Sequence, residues 1–201
     1  TADVAQRIAA AGKRVVYLSM ENASPHVADP SLLTAYQTLG LRMLGITHVL
    51  NNDFGDSSTD KSGPQWNGLS AAGKALVTQA NRLGIVLDGS HASDQVVEQL
   101  IELSKAPIVL SHTSAKDVFG HARNVDDALL RKLAASGGVI HVNAYGGYLI
   151  DIPANPAREQ ALEALAAKYP GESQLTQADI AAILKARQQI DQQYPVTEAS
   201  F

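Results

Sequence analysis

Five short runs rich in β-branched and aliphatic residues punctuate the chain. They are Arg14–Met20 (RVVYLSM), Gly45–Leu50 (GITHVL), Gly84–Ser90 (GIVLDGS), Pro107–His112 (PIVLSH) and Gly138–Asn143 (GVIHVN). Most are continuous apolar stretches rather than alternating ones, the pattern of strands in a parallel sheet whose outer face is covered. Between them the apolar positions fall at helical spacing. Leu32, Leu33, Tyr36 and Leu39 share one face, as do Leu76, Val77, Ala80 and Leu83. Ser93 stands as an N-cap before Val96, Val97, Leu100 and Ile101, and Leu129, Leu130, Leu133 and Ala134 repeat the spacing. Strand alternating with helix predicts βαβ units and a parallel sheet. A helix opens the chain (Ala2–Ala11), and two more, Ala157–Lys168 and Gln177–Gln189, follow Pro153 and Pro156. The stretch Asn51–Asn67, rich in Asn, Asp, Ser and Gly, reads as the longest loop and belongs above a strand end.

Two architectures hold such units: an open doubly wound sheet and a closed (β/α)8 barrel. No Gly-rich phosphate turn follows a strand; Gly137-Gly138 precedes one and Gly146-Gly147 follows one, neither with G-x-G-x-x-G spacing. Polar residues end the strands in four different units, where barrel enzymes build their sites. The expectation is therefore an α/β fold of the (β/α)8 TIM-barrel type. Only five strand–helix units are visible, and 201 residues fall short of the roughly 250 typical of a full barrel. Residues 1–201 are thus expected to be a single domain, the central portion of a larger TIM barrel.

Composition narrows the chemistry. Sixteen basic against twenty acidic residues give a net charge of −4, which leaves no basic footprint for nucleic acid. No apolar run approaches the roughly 18 residues of a transmembrane segment, and no charged-then-apolar signal segment is visible. With no Cys there is no disulfide, thiolate metal site or cysteine nucleophile. Histidines and carboxylates remain. His48, His91 and His112 lie at or just past the ends of three successive expected strands, and Glu21 follows an earlier one. In a barrel those ends converge on one mouth, so Glu21, His91 and His112 can meet despite wide separation. Two imidazoles and a carboxylate suit zinc or a similar borderline cation. A lone histidine near a strand end is ordinarily structural, and the pattern by itself leaves both readings open.

The segments add a second argument. Asn67-Gly-Leu-Ser-Ala-Ala-Gly-Lys, then Asn81-Arg-Leu-Gly-Ile-Val-Leu-Asp-Gly-Ser-His91, closely resembles the membrane (renal) dipeptidase family of binuclear zinc peptidases. So do Glu102-Leu-Ser-Lys-Ala-Pro-Ile-Val-Leu-Ser-His112-Thr-Ser-Ala and His121-Ala-Arg123-Asn-Val-Asp-Asp, with Ser19-Met-Glu21-Asn and Ile46-Thr-His48 in the right order before them. The resemblance covers about residues 12 to 150. It implies that Glu21 is the carboxylate bridging two Zn²⁺ ions and that His91 and His112 are ligands of the second metal. It implies that His48 polarises the scissile carbonyl or steadies the tetrahedral intermediate, and that Arg123 holds the substrate's free carboxylate. Tyr148 matches a tyrosine near that carboxylate, although a core or rim aromatic also fits. Asp88, in the Asp-x-Ser-His pattern, is placed to orient a ligand or cap a strand end. Asn52 and Asp56 match polar positions of the family. His26, His121 and His141 are assigned to structure or surface.

The resemblance implies hydrolysis of small dipeptides, varied or D-configured on the C-terminal side, by water activated between the two zinc ions. It also suggests a homodimer and either periplasmic or cytoplasmic residence. One part of the pattern is absent: the first metal's His-x-Asp pair occurs nowhere in the sequence, His26-Val-Ala-Asp29 having the wrong spacing. Two alternatives stand beside the dipeptidase reading. One is an inactive barrel fragment that only binds metal or a partner, its unpaired sheet edge favouring association. The other is an amidohydrolase-type barrel acting on non-peptide amides.

Overall fold

Five strands form, four of them at the expected apolar runs, and they lie side by side in chain order. The computed structural model describes residues 2–24, 30–169 and 175–196. It contains α1 (Ala2–Ala10), β1 (Leu18–Met20), α2 (Pro30–Thr38), β2 (Leu41–Gly45), α3 (Ala71–Leu83) and β3 (Val86–Asp88). Then come α4 (Asp94–Leu103), β4 (Val109–Thr113), α5 (Asp127–Ala135) and β5 (Val139–Val142). These form one unit over residues 1–144, and a second unit spans 145–201. All four strand pairings are parallel, and the order is β1-β2-β3-β4-β5. A doubly wound sheet reverses its strand order at a switch point. This sheet never does, and it is the wall of a (β/α)8 barrel carried by five strands.

The core lies between the sheet's outer face and the helices. Leu44 and Leu87 pair across β2 and β3 with both side chains buried, and Leu110 continues the layer on β4. Val77 and Ala80 of α3 and Val96, Val97 and Leu100 of α4 close over them, all essentially inaccessible. Burying each such aliphatic side chain contributes about 1.5–3 kcal/mol. Side-chain caps fix where the helices begin. Ser70 Oγ accepts from Gly73 N, Ser93 Oγ from Val96 N and the Asp126 carboxylate from Leu129 N. Gly84 ends α3 at φ 67°, a left-handed conformation that glycine adopts without penalty.

Three expectations shift. The second strand is Leu41–Gly45, not Gly45–Leu50. Leu41 and Leu44 supply the buried face, whereas Val49 and Leu50 are exposed. The Ile46 carbonyl is taken by Ala23 N and Asn52 Nδ2, so the chain turns out of the ladder there. The first strand keeps only Leu18–Met20, and Val16, Tyr17 and Leu18 are all exposed. On α2, Leu33 is buried but Leu32 and Leu39 are exposed, which narrows that helix's apolar stripe.

The described residues of the second unit include a 3-10 turn, Gly146–Tyr148, followed by α6 (Pro156–Ala167) and α7 (Gln177–Gln193). Asn155 caps α6, and Thr176 with Asp179 forms a reciprocal capping box on α7. No described helix is long and apolar enough to cross a membrane.

Candidate metal centre

The C-terminal ends of four successive strands deliver four side chains to one place. Glu21 directly follows β1, His48 lies in the bend three residues past β2, and His91 sits three residues past β3. His112 is inside β4. Glu21 Oε1 lies 3.1 Å from His91 Nε2 and 3.2 Å from His112 Nε2, and the two Nε2 atoms are 2.9 Å apart. His48 joins more loosely, its Nε2 4.0 Å from Glu21 Oε1 and its ring centroid 4.3 Å from that of His91. Ligand atoms of Glu21, His48 and His91 all fall within 4.8 Å of one another. There are thus two overlapping triads, and the one containing His112 is tighter.

Zinc ligands held about 2.0–2.1 Å from a tetrahedral cation lie roughly 3.3 Å apart, close to the edges of the tight triad. The donor chemistry agrees. His91 is buried, and that burial, then the charges of Arg123, His48 and His112, hold its pKa down to about 3. Its ring is therefore neutral at ordinary pH, and a neutral imidazole keeps a lone pair for a metal. Its Nδ1 is buried with no hydrogen-bond partner among the described residues. Protein contacts alone therefore leave His91 under-satisfied, while two acceptor atoms crowd its other nitrogen. The residues fit a cation better than they fit one another.

The supporting loops explain how the four side chains are held. His91 takes φ 68°, and Asn22, next to Glu21, takes φ 71°, both in the left-handed region. Non-glycine residues there cost of order 1–3 kcal/mol and persist where surroundings over-determine them. Those surroundings are visible. Asn52 Nδ2 donates to Asn22 Oδ1 (2.8 Å) and to the Ile46 carbonyl (2.7 Å), tying the turn after Glu21 to the one before His48. Ser57 Oγ donates to the His48 carbonyl (2.6 Å), and Ser58 N donates to the His91 carbonyl (2.8 Å). The buried Asp56 carboxylate accepts N–H groups from Gln65, Trp66 and Gly68, folding the long 51–67 loop onto itself. Beneath the histidines, Asp88 accepts from Ser90 N and Ser111 N and from the Ser111 hydroxyl.

Arg123 lies in the connection between β4 and α5, buried, and its Nη2 donates to the His112 carbonyl (3.0 Å). A cation so close to His112 and His91 is one reason the His91 ring stays neutral. A polar cavity of about 380 Å³, lined by Ser58, Asp60, Ser93, Asp94, Lys116 and Ala122 among others, adjoins the 51–67 loop. None of the four clustered residues lines it.

The match to known proteins now has a site to attach to. Residues 1–190 match the family model described as membrane dipeptidase (peptidase family M19). The chain belongs to the membrane dipeptidase family. It is 35% identical over 147 residues to an uncharacterized dipeptidase of Schizosaccharomyces pombe, covering 73% of this chain and 36% of that protein. A solved structure of the probable dipeptidase PvdM from Pseudomonas aeruginosa superposes with TM-score 0.71 at 31% identity, covering 98% of this chain and 54% of that one. A metallopeptidase from Rhodobacter sphaeroides, solved with a phosphinate mimic of the dipeptide L-Ala-D-Ala, gives TM-score 0.67 at 32% identity over 74% of this chain and 43% of that one. This membrane dipeptidase family chain thus spans about a third of the curated relative and about half of the solved ones.

The other expected positions of the dipeptidase family pattern fall as follows. Tyr148 is in the second unit, where its ring meets Tyr145 edge-on at 4.8 Å. His121 stacks on Phe119, and its Nδ1 accepts from Arg123 N, while His141 is exposed on β5. His26 and Asp29 lie outside the described residues. Sequence reading passed over Ser57 and Ser111, because serines in polar loops and at strand ends carry no spacing signal of their own.

Proposed function

We propose that this chain supplies the second-metal half of a binuclear zinc dipeptidase site. The observation that carries the proposal is the convergence of Glu21 Oε1, His91 Nε2 and His112 Nε2, every pair within 3.2 Å. In this reading those three residues hold one zinc. Glu21 is half-exposed and would also be open to a further zinc, whose His-x-Asp ligands have no counterpart in the sequence. Bound zinc supplies Lewis acidity, which polarises a carbonyl and brings the pKa of water toward neutrality. His48 presents its Nε2 beside Glu21 and donates a hydrogen bond to the oxygen of the scissile carbonyl as negative charge develops there. Arg123 recognises the substrate's terminal carboxylate through its guanidinium fork. The substrate is a small dipeptide, the assembly a homodimer, and residues 1–201 the central βα units of one larger barrel domain.

Zinc content after dialysis tests the proposal directly. The wild-type chain is expected to retain zinc, and His91→Ala is expected to lose it. If wild type took up no zinc, or His91→Ala kept full content, the ligand assignment would be wrong.

A further inference from the structure

The polar network under the histidines fixes a direction for its hydrogens, and we infer that Asp88 and Ser111 act as positioning residues that set the tautomer of His112. The inference rests on the zinc reading above for its purpose, but not for its geometry. Asp88 is buried at the end of β3, and its Oδ1 accepts two backbone N–H groups, from Ser90 (2.9 Å) and Ser111 (3.0 Å). Its Oδ2 accepts from the Ser111 hydroxyl. A carboxylate only accepts, so the single hydroxyl hydrogen of Ser111 is committed to Asp88. Were that hydrogen turned elsewhere, a buried carboxylate oxygen would lose its donor, at a cost greater than that of an ordinary hydrogen bond.

Ser111 Oγ also lies 2.8 Å from His112 Nδ1. With its hydrogen spent on Asp88, the oxygen can only accept there, so His112 carries its proton on Nδ1. The Nε2 lone pair is then the atom presented to Glu21 and His91. Backbone geometry reinforces the arrangement, because His112 N donates to Ser90 Oγ (3.0 Å), which fixes the strand's height against β3. The relay runs from Asp88 through Ser111 to His112, each step along a hydrogen bond at the β3–β4 strand pair. His91 has no counterpart, its Nδ1 being without a hydrogen-bond partner among the described residues. The two imidazoles are therefore unequal: one is preset for a metal by the protein, and the other is held by its backbone turn.

The test is a tautomer measurement on the metal-free chain, made by long-range ¹H–¹⁵N correlation on the His112 ring. Wild type is expected to show Nδ1–H. Asp88→Asn is the sharper variant, since the introduced amide donates to Ser111 and forces the hydroxyl hydrogen toward His112. It is expected to move the proton to Nε2. Ser111→Ala is expected to leave a mixture, and Ser111→Thr, which keeps the hydroxyl, to restore Nδ1–H. Zinc titration of the same proteins is expected to show about 10–100-fold weaker binding for Asp88→Asn and Ser111→Ala, and near-normal binding for Ser111→Thr. An Nε2–H ring in wild type, or an unchanged tautomer in both Asp88→Asn and Ser111→Ala, overturns the inference. A wild-type chain that shows Nδ1–H yet binds no zinc instead sinks the zinc reading, so the two failures are told apart.

Discussion

At the scale of single residues, a buried guanidinium stands beside two imidazoles. Arg123 is buried and bonded to the His112 carbonyl, and its charge helps keep His91 neutral. Charged hydrogen bonds of this kind are worth about 1.5–3 kcal/mol. If Arg123 receives the substrate's carboxylate, Arg123→Ala should weaken binding of Ala-Ala by roughly 10–100-fold and leave Ala-Ala amide, which lacks the anion, nearly unaffected. Calorimetry on the zinc-loaded chain checks this, and equal losses for both ligands would remove Arg123 from substrate recognition. Arg123→Lys should recover only part of the loss, because an ammonium lacks the bidentate fork.

At the scale of elements, the long 51–67 loop behaves as a built part rather than a tether. Ser70 joins it to α3 twice: its hydroxyl donates to the Asp53 carbonyl (2.6 Å) and accepts from Gly73 N (3.0 Å). Gly73 lies against the same loop, where a Cβ would meet the Phe54 carbonyl oxygen at 2.0 Å. Ser70→Ala removes a helix cap and the hydroxyl's bond to the Asp53 carbonyl, so it should cost about 1–2 kcal/mol in urea unfolding. A cost below about half a kcal/mol would show that the cap and the loop contact carry no stability. The sequence made the order of elements legible, because parallel strands buried on one face read as apolar runs and helices as 3.6-residue stripes. It misplaced β2 by four residues, since ITHVL looks more strand-like than LRMLG. What decides between them is the Ile46 carbonyl, taken by Ala23 N from a distant part of the chain and by the Asn52 side chain, and neither contact shows in the apolar pattern. That strand ends bring Glu21, His91 and His112 together was expected from the sequence, with metal-binding and structural readings both open, whereas Ser57, Ser111 and the left-handed turn at His91 depend on partners that no local pattern announces.

For the whole molecule, a site drawn from residues 21 to 112 couples metal to global stability. A ligand that binds only the native state stabilises it by about 2.7 kcal/mol at a hundred times its Kd. Saturating zinc should therefore raise the melting temperature by several degrees, and a chelator should reverse the rise without unfolding the protein at room temperature. The metal-free chain already has its own core of buried Leu, Ile and Val side chains, unlike small zinc domains that fold only around their ion. Unfolding on chelation at room temperature, or a melting temperature indifferent to zinc, would contradict this account.

The sheet's spatial order equals its chain order, and this bears on how the molecule comes into being. Each of these strands docks beside the one made just before it, so their assembly can proceed in chain order during synthesis without waiting for distant partners. Glu21 arrives with the first strand, His48 and His91 follow the second and third, and His112 arrives with the fourth. Glu21, His91 and His112 are then all in place before the fifth strand is laid down, so the emerging chain passes through a stage with these three residues assembled and an open sheet edge. Metal uptake at that stage would clamp four strands together while that edge still lacks its neighbour.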